Sequence, residues 1–381
     1  MVSNKKQIQV KGVVKKEEVK VNKDIQSLVA QINEKFGENS IRIGVPKTEG
    51  NISEVKRIPT GSVDLDINLD GGIPVGRFTQ FSGGESSTKT TQSWWIISNA
   101  LKMGMTVAAF DAEGTSTLSD GTPDFKYLNN FGITSDYYYS GQLLIIKPCS
   151  LEECTEMALM LQASEKVQFI FIDSITQLEP MKVLESAMED SVQMGIKQKM
   201  LGEFLNKYQL NNNKLTREGK QDVTLLVVNQ LREKIGVIKG DPEYETGGRA
   251  LKYSLSLGVR YRTKEWIKDP RFKDNIVGQV IAYKIWKNKL GMKGISGSMD
   301  MYLDNNTLDI PKFHPDNVKS IIINAIDFGI ITQSGAWFYY KDEKFNGKSP
   351  LIDFLRENES EIQVIKNQIL TLLKKDRKDE V

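Results

Sequence analysis

Short apolar runs alternate with longer segments of mixed polarity between about residues 58 and 305. Unbroken apolar runs separated by helix-length segments are typical of buried parallel strands, so this pattern predicts an α/β fold with a mostly parallel sheet covered by helices. Two later runs have only a loop between them and predict antiparallel strands at one edge. The predicted parallel strands are 78–82, 106–110, 143–147, 167–172 and 223–228, and the two later runs are 255–261 and 279–286.

The two ends of the chain have different patterns. Residues 1–22 are rich in Lys, Glu and Val without a regular period, and we interpret them as a flexible arm. An amphipathic helix follows, with Asp24 as its predicted N-cap and Gly37 at its end. Its apolar face can pack on its own domain or on a neighbouring subunit. After about residue 312, helical patterns surround an aromatic segment at 336–340, which predicts a small α/β appendage.

The composition excludes several classes of protein. The 381 residues include 26% charged and 39% hydrophobic residues, and no apolar run is long enough to span a bilayer. We therefore expect no membrane role, and without a secretory signal at the start we expect a cytoplasmic location. His314 is the only histidine, which removes histidine metal clusters and Ser-His-Asp hydrolases from consideration. Cys149 and Cys154 lack redox or zinc spacing and are read as reduced thiols.

A glycine-led loop separates the first predicted strand from a helical segment. Strand, loop, Lys-Thr and helix are the order of a P-loop, in which backbone N–H groups and the helix N-terminus bind phosphates. In such a loop Lys89 neutralises phosphate charge and the Thr90 hydroxyl binds Mg²⁺. Thr88 departs from the pattern, because a P-loop has glycine before its lysine and a β-branched residue is poorly suited to positive φ. The predicted loop residues are Gly83, Gly84, Glu85, Ser86, Ser87, Thr88, Lys89, Thr90 and Thr91.

Acidic and amide side chains follow three other predicted strands. Glu113, Asp173 and Gln230 stand just beyond strands 106–110, 167–172 and 223–228. The carboxyl ends of parallel strands meet over the crevice that also holds a P-loop. There Asp173 can hold Mg²⁺ through water, Glu113 can orient or deprotonate an attacking water, and Gln230 can sense a γ-phosphate. The glycine-rich loop behind Gln230 has the basic composition of a nucleic-acid backbone site, with Arg232, Lys234, Lys239 and Arg249.

These motifs, in this order, resemble the bacterial RecA family of homologous recombinases from about residue 24 to 360. The resemblance implies a RecA-like P-loop ATPase core that forms a helical filament on single-stranded DNA. It also implies homology search and strand exchange with double-stranded DNA, with ATP and Mg²⁺ bound between neighbouring subunits. The matching motifs are Gly83 to Thr90, Asp111-Ala112-Glu113, Asn229-Gln230, Thr246-Gly247-Gly248, Lys287-Asn288-Lys289 and Gly335-Ala336-Trp337.

The resemblance also implies roles for residues that the patterns alone do not assign. Tyr127, five residues before Gly132, matches an aromatic that stacks on adenine. Lys287 and Lys289 match a pair that reaches across the interface to a neighbour's γ-phosphate, and Tyr253 stands where a phenylalanine packs into the adjacent subunit. Two DNA-binding loops are implied at about 185–195 and 231–249. Their implied DNA-binding residues are Met194, Gly195, Arg232, Lys234, Ile235, Thr246, Gly247, Gly248 and Arg249, with Lys199 nearby.

Pattern and resemblance together divide the chain into three predicted regions. Residues 1–57 are the flexible arm and a helix that serves oligomerisation, residues 58–305 are the ATPase core with both DNA loops, and residues 306–381 are a small C-terminal domain with a tail of mixed charge.

Several positions depart from the family pattern. Thr88 replaces a glycine, a Gly-Thr-Ser-Thr stretch follows Glu113, Glu233 places an acid in a DNA loop, and Asn206 stands where a basic residue is usual. A strongly acidic tail is missing. These departures favour a divergent branch carried by a virus or mobile element, and they bear on the rate of hydrolysis more than on the fold.

Three functions remain open on the sequence. The first is an ATP-dependent recombinase whose filament is released by hydrolysis. The second is a filament-forming DNA-binding protein in which Thr88 has largely abolished turnover. The third is a monomeric or ring-forming P-loop ATPase, such as a helicase loader or repair accessory factor. Glu113 favours the first, because an inactive site has little use for a positioned base.

Overall fold

Residues 22–42, 55–185, 193–233, 243–245, 248–272, 274–304 and 306–379 are described by a computed structural model. Its helices are α1 (Lys23–Phe36), α2 (Val63–Asn68), α3 (Lys89–Lys102), α4 (Phe125–Leu128), α5 (Ser135–Tyr139), α6 (Leu151–Ala163), α7 (Met181–Glu185), α8 (Gln193–Arg217), α9 (Gly248–Ser254), α10 (Asn317–Asp327), α11 (Lys348–Glu357) and α12 (Glu359–Asp379). Its strands are β1 (Arg57–Ile58), β2 (Ile73–Pro74), β3 (Phe78–Gly83), β4 (Val107–Asp111), β5 (Leu143–Ile146), β6 (Phe169–Asp173), β7 (Thr224–Glu233), β8 (Glu243–Glu245), β9 (Leu257–Lys268), β10 (Ile276–Asn288), β11 (Ser296–Tyr302), β12 (Thr332–Ser334), β13 (Trp337–Tyr340) and β14 (Glu343–Asn346).

The central sheet has the order β11-β10-β9-β3-β7-β6-β4-β5, with the short β8 paired to β7. The strands from β9 to β5 run parallel, while β10 and β11 are antiparallel additions at one edge. The predicted α/β fold with a mostly parallel sheet and an antiparallel edge is therefore confirmed. The first of the two later runs joins the parallel part as β9, so the antiparallel addition begins only at β10.

Alternating residues of the central strands pack into two separate cores. Phe169 and Phe171 of β6 face the core that contains Trp94 of α3, whereas Ile170 and Ile172 face the core formed with α6 and α8. Each fully buried aromatic or branched side chain stabilises the fold by about 1.5–3 kcal/mol through loss of water contact. With both faces of the central strands covered, a ligand can reach these strands at their ends.

α1 forms a unit separate from the remainder of the described chain, apart from residues 217–219. Its N-cap is Asn22, whose side chain accepts a hydrogen bond from the Asp24 N–H at 2.9 Å. The predicted N-cap at Asp24 is therefore wrong by two residues. Asp24 lies in the first turn instead, where its negative charge interacts favourably with the positive end of the helix dipole. The apolar side chains Ile25, Leu28 and Phe36 of α1 are exposed.

The C-terminal helices α10 and α12 pack against α2 of the core. Ile321 of α10 and Ile365 of α12 share a buried cluster with Val63 of α2. Next to this cluster Lys366 and Asp66 form a buried ion pair with 2.5 Å between Nζ and Oδ2. Burial raises the pKa of Asp66, and the charge of Lys366 works against that increase. The three-stranded sheet β12-β13-β14 and the helices around it agree with the predicted α/β appendage.

Across the ranges described, none of the helices combines the length and apolar composition needed to cross a bilayer.

Candidate nucleotide site and nucleic-acid loops

The predicted P-loop connects the carboxyl end of β3 to the first turn of α3. β3 lies between β7 and β9 near the middle of the sheet, so the loop opens at the crevice where parallel strands end. Gly83 has no room for a side chain, because a Cβ there would lie 2.5 Å from both Ser87 Oγ and Tyr261 O. Only glycine lets the loop fold back this closely over the strand end.

Lys89 is almost fully buried within the loop that it ends. Its Nζ donates hydrogen bonds to Gly84 O at 2.6 Å and to Ser87 Oγ at 3.4 Å. Burial lowers the pKa of Lys89, while the nearby charges of Asp173, Glu113 and Glu85 oppose that decrease. The cation is therefore held in a partly desolvated position, where its attraction to an incoming anion is stronger than in water.

Thr88 adopts the left-handed conformation that the sequence made suspect, with φ 61° and ψ 14°. Ser86, two residues earlier, is also left-handed, with φ 54°. Such a conformation costs about 1–2 kcal/mol for a residue with a Cβ. The Thr88 hydroxyl donates a hydrogen bond to Ser87 O at 2.7 Å, which recovers part of this cost locally. The loop therefore keeps a glycine-like backbone without the glycine.

Replacing Thr88 by glycine is expected to stabilise the nucleotide-free chain by about 0.5–1 kcal/mol, since relief of left-handed strain exceeds the added backbone entropy of glycine. We also expect turnover to be preserved or raised. Urea denaturation gives the free energy of unfolding. Thr371→Gly, at an exposed helical threonine of α12, is the matched control and should lower stability by up to about 1 kcal/mol. Equal losses in both variants would contradict a left-handed Thr88 in solution.

Asp173 and Thr90 meet at the mouth of the P-loop. The Thr90 hydroxyl donates to Asp173 Oδ2 at 2.6 Å, whereas Asp173 Oδ1 is buried without a hydrogen-bond partner among the described residues. Burial raises the pKa of Asp173 to about 7, and the charges of Glu113 and Asp111 add to the increase, while the Thr90 bond and Lys89 oppose it. An unpartnered oxygen on a poorly solvated carboxylate fits a cation that would compensate the charge.

The donor set at this position suits Mg²⁺ better than a metal held by protein alone. In the described ranges no three His, Cys, Asp or Glu side chains come together as a metal cage. Mg²⁺ usually takes one or two protein oxygens and completes its shell with water and phosphate oxygens. Thr90 and Asp173 offer that number of ligands next to the phosphate loop.

Glu113 and Gln230 lie together beside the P-loop, because Gln230 of β7 pairs with Gly83 of β3. Gln230 Nε2 donates to Glu113 Oε1 at 3.1 Å. The Gln230 backbone N–H donates to Thr176 Oγ1 at 3.1 Å, which fixes the strand end that carries the amide. The Glu113 N–H donates to Asp173 O at 3.2 Å, so the ends of β4 and β6 are tied together. The predicted base, sensor and Mg²⁺ ligand therefore lie together at the carboxyl ends of the parallel strands.

Asp111 organises the stretch after Glu113, a role that the sequence did not reveal. Its carboxylate accepts hydrogen bonds from the backbone N–H groups of Thr115 and Ser116 and from the hydroxyl groups of Thr115, Ser116 and Thr117, over 2.7–3.4 Å. Asp followed by a run of Ser and Thr is a signal for such local caps. The unfamiliar Gly-Thr-Ser-Thr stretch thus anchors the loop that presents Glu113.

Tyr127 packs edge-on against Phe131 and Phe313, with ring centroids 5.2 Å and 5.6 Å away. Burial raises the pKa of its hydroxyl, with the charge of Asp173 as the next cause, and a hydrogen bond with Thr91 opposes the increase. These interactions place Tyr127 beside the start of α3. Its stacking on adenine stays a prediction.

Lys287 and Lys289 lie toward the amino-terminal ends of the parallel strands, whereas the P-loop follows the carboxyl end of β3. Lys287 pairs with Gly258 of β9, which in turn lies beside Gln80 of β3, three residues before Gly83. Lys287 is therefore displaced from Gly83 by about 10 Å along the strands and by two strand spacings of about 4.8 Å each across the sheet. Lys287 Nζ donates to the carbonyls of Lys252 and Tyr253, and Lys289 Nζ donates to Tyr253 O at 3.2 Å. The two lysines are thus hydrogen-bonded to the C-terminal end of α9.

The described parts of the two implied DNA loops approach each other through α8 and α9. A Cβ on Gly248 would lie 3.1 Å from the side chain of Gln198, and one on Gly202 would lie 3.3 Å from Ala250. Met194, Gly195 and Lys199 lie in the first two turns of α8, Arg232 is the last residue but one of β7, and Gly248 and Arg249 begin α9. Lys234, Ile235, Thr246 and Gly247 lie outside the described residues.

The exposed residues near this region include two of the predicted contacts. Lys199 is largely exposed and lies 4.0 Å from Glu203, a solvent-screened pair that leaves its charge available. Tyr253 at the end of α9 is 72% exposed, which is unusual for a large aromatic side chain.

Comparison with known proteins finds matches along nearly the whole chain. A family described as the RecA N-terminal domain matches residues 23–305, and one described as the RecA C-terminal domain matches residues 319–374. A protein named RecA from Cutibacterium acnes is 34% identical over 354 residues, which cover 92% of both chains. Those from Salinispora tropica and Clostridium novyi are 34% and 33% identical over 91% of this chain and 90% of their own.

Proposed function

Because the chain belongs to the RecA family, we infer that it is a DNA recombinase and DNA-dependent ATPase that serves recombination and repair. It binds nucleotide and DNA. We propose further that the nucleotide is ATP with Mg²⁺, and that the chain forms helical filaments on single-stranded DNA and exchanges strands with double-stranded DNA. A role in the response to DNA damage, a cytoplasmic location, and the division into residues 1–57, 58–305 and 306–381 belong to the same proposal.

One observation supports the shared site most strongly. The P-loop, Glu113 and Gln230 lie at the carboxyl edge of the sheet, whereas Lys287 and Lys289 lie about three residues away toward the other edge. We infer that the two sets of groups do not meet at one triphosphate within a single subunit. In a head-to-tail arrangement, the surface that carries Lys287 and Lys289 in one subunit (the lysine edge) meets the surface that carries the P-loop in the next subunit (the P-loop edge). This arrangement brings the two sets of groups together and extends into a filament.

The residues of the P-loop edge divide the chemistry among them. Backbone N–H groups of the loop and the first turn of α3 receive the phosphates, and Lys89 neutralises their charge. Thr90 and Asp173 would hold Mg²⁺, which would supply neutralisation of the phosphate charge. Glu113 orients the attacking water and accepts its proton at a carboxylate oxygen. Lys287 and Lys289 of the next subunit stabilise the charge that develops on the γ-phosphate.

Gln230 connects the proposed nucleotide site to the proposed DNA-binding loop. Its amide contacts Glu113, and Arg232 stands two residues further along the same strand, where the implied second DNA loop begins. A change in what the amide contacts when the γ-phosphate leaves would therefore act directly on the strand end that enters the DNA loop. This arrangement supports a filament whose grip on DNA depends on the nucleotide.

A steady-state ATPase assay with and without single-stranded DNA tests the recombinase function. We expect DNA to stimulate turnover, and we expect Glu113→Gln to reduce the stimulated rate by on the order of 100-fold or more, because the water loses its base. Glu156→Gln, at an exposed carboxylate of α6, is the control and should retain the rate. A stimulated rate that survives Glu113→Gln contradicts the assignment of the base.

Imaging separates the alternatives in the same material. Helical filaments on single-stranded DNA in the presence of a non-hydrolysable ATP analogue support the recombinase. Filaments without measurable turnover indicate the DNA-binding alternative, and closed rings indicate a loader or accessory ATPase. Dispersed single molecules with nucleotide, Mg²⁺ and DNA all present contradict the shared site.

A further inference from the structure

The β9–β10 hairpin contacts the P-loop through a residue that lies outside the family motifs. Gln279 of β10 donates a hydrogen bond from Nε2 to the backbone carbonyl of Ser86 at 3.1 Å. Thr263 of β9 donates from Oγ1 to Gln279 Oε1 at 3.0 Å and lies 3.5 Å from the same carbonyl. Gln279 is only 2% exposed, although its side chain is polar. A buried amide with both ends engaged is held in one orientation.

We propose that Gln279 is a positioning residue for the triphosphate, oriented by Thr263, and that it sets the direction of the Ser86–Ser87 peptide plane. The inference rests on the proposed nucleotide site and adds a residue that none of the sequence motifs contains.

The geometry of the peptide bond carries the argument. In a trans peptide the C=O of one residue and the N–H of the next point in opposite directions. Gln279 holds the Ser86 carbonyl toward the hairpin, so the Ser87 N–H faces away from the hairpin and into the loop. N–H groups that converge inside such a loop are its anion ligands. Without the Gln279 bond, this peptide plane is free to rotate and the Ser87 donor is lost from the phosphate site.

The need for this support follows from the sequence of the loop. Ser86 and Thr88 are both left-handed, and neither is glycine. Ser86 and Thr88 stand on either side of Ser87, and their left-handed conformations are strained. Other conformations of the loop relieve this strain and are therefore close in free energy to the observed one. Glycine at position 88 would remove that pressure at one of the two positions. The contribution of Gln279 to nucleotide binding should therefore depend on whether residue 88 is threonine or glycine.

A double-mutant cycle on the full chain tests the coupling. The four proteins are the unchanged chain, Gln279→Met, Thr88→Gly and the double variant; methionine keeps the length of the side chain and removes both polar groups. The affinity for a fluorescent ATP analogue with Mg²⁺ is measured for each, together with KM and kcat for ATP. We expect Gln279→Met to weaken the affinity and raise KM by about 10-fold with threonine at position 88, and by less than about 3-fold with glycine there.

The kinetic constants distinguish positioning from general damage. Loss of phosphate positioning raises KM while kcat changes by less than about 2-fold, whereas partial unfolding lowers kcat with the active fraction. Gln333→Met, on the exposed strand β12, is the matched control and should change neither constant. Thr263→Val should reproduce part of the Gln279→Met effect, because it removes the group that orients the amide.

The possible failures can be told apart. Unchanged affinity after Gln279→Met in both backgrounds overturns the positioning role, and equal losses in both overturn its dependence on residue 88; either result leaves the nucleotide site intact. Absence of nucleotide binding by the unchanged chain overturns the proposed function itself, and the positioning role with it.

Discussion

Substitution of Lys287 by alanine will lower the DNA-stimulated ATPase rate by on the order of 100-fold or more, because the developing charge on the γ-phosphate loses a cation supplied by the neighbouring subunit. Lys287 Nζ donates hydrogen bonds to backbone carbonyls at the end of α9, and burial together with the positive charges of Lys289 and Lys252 lowers the pKa of Lys287. Lys293→Ala, in the exposed loop after β10, is the control and should retain the rate.

Mixing two inactive proteins provides the sharper form of this experiment. Lys287→Ala chains keep an intact Glu113, and Glu113→Gln chains keep an intact Lys287. In an equal random mixture on DNA, an interface is intact when the first kind supplies the P-loop edge and the second supplies the lysine edge, which occurs at about one interface in four. We therefore expect the mixture to regain up to about a quarter of the unmodified rate.

The mixture has a clear adverse outcome. If its rate equals the mean of the two single variants, the lysines do not serve a neighbour's nucleotide. The head-to-tail site would then be wrong, even if each substitution alone is inactivating.

The second large effect is expected at Lys89. Lys89→Ala should weaken Mg²⁺–ATP binding by on the order of 100-fold and abolish nucleotide-dependent assembly, since the loop loses the cation that faces the phosphates. Fluorescence titration with an ATP analogue and sedimentation with DNA measure the two effects. Retained nucleotide affinity would contradict the P-loop assignment.

Loss of folding can be separated from loss of binding in this variant. Burial lowers the pKa of Lys89, so the charge is an unfavourable element of the nucleotide-free fold. The free energy of unfolding without nucleotide should therefore change by less than about 2 kcal/mol in Lys89→Ala, because loss of the hydrogen bond to Gly84 O is offset by removal of a poorly solvated charge. Lys102→Ala, at the exposed end of the same helix, is the control for both measurements.

The elements predicted from the sequence are those specified by local signals. The runs at 78–82 and 167–172 became β3 and β6 because continuous apolar residues suit a strand buried on both faces. The P-loop followed from Gly83, Lys89 and their spacing. The predicted N-cap at Asp24 was wrong, because Asn22, two residues earlier, is an equally good capping residue and begins the helix.

The parts that were not predicted depend on contacts between distant residues. Gln279 and Ser86 are 193 positions apart, and their bond exists only because β9 pairs with both β3 and β10. The five bonds to Asp111 needed the turn after β4, although its Ser and Thr residues were a readable signal. The left-handed Thr88 agrees with the suspicion raised by the family pattern. The assignments at Lys234, Ile235, Thr246 and Gly247 stay predictions, since they fall outside the described residues.

The ion pair between Lys366 and Asp66 has a consequence for how the chain comes apart. Removing α12 would leave a buried carboxylate without its counter-charge and would uncover the apolar side of α2, and each loss is costly in a low-dielectric environment. α2 lies only about twenty residues before the P-loop, so melting of the C-terminal helices would spread directly toward the phosphate site. A truncated chain that keeps residues 1–305 should for this reason be less stable than the full chain. Heating the full chain should unfold the core and the C-terminal elements in one cooperative transition.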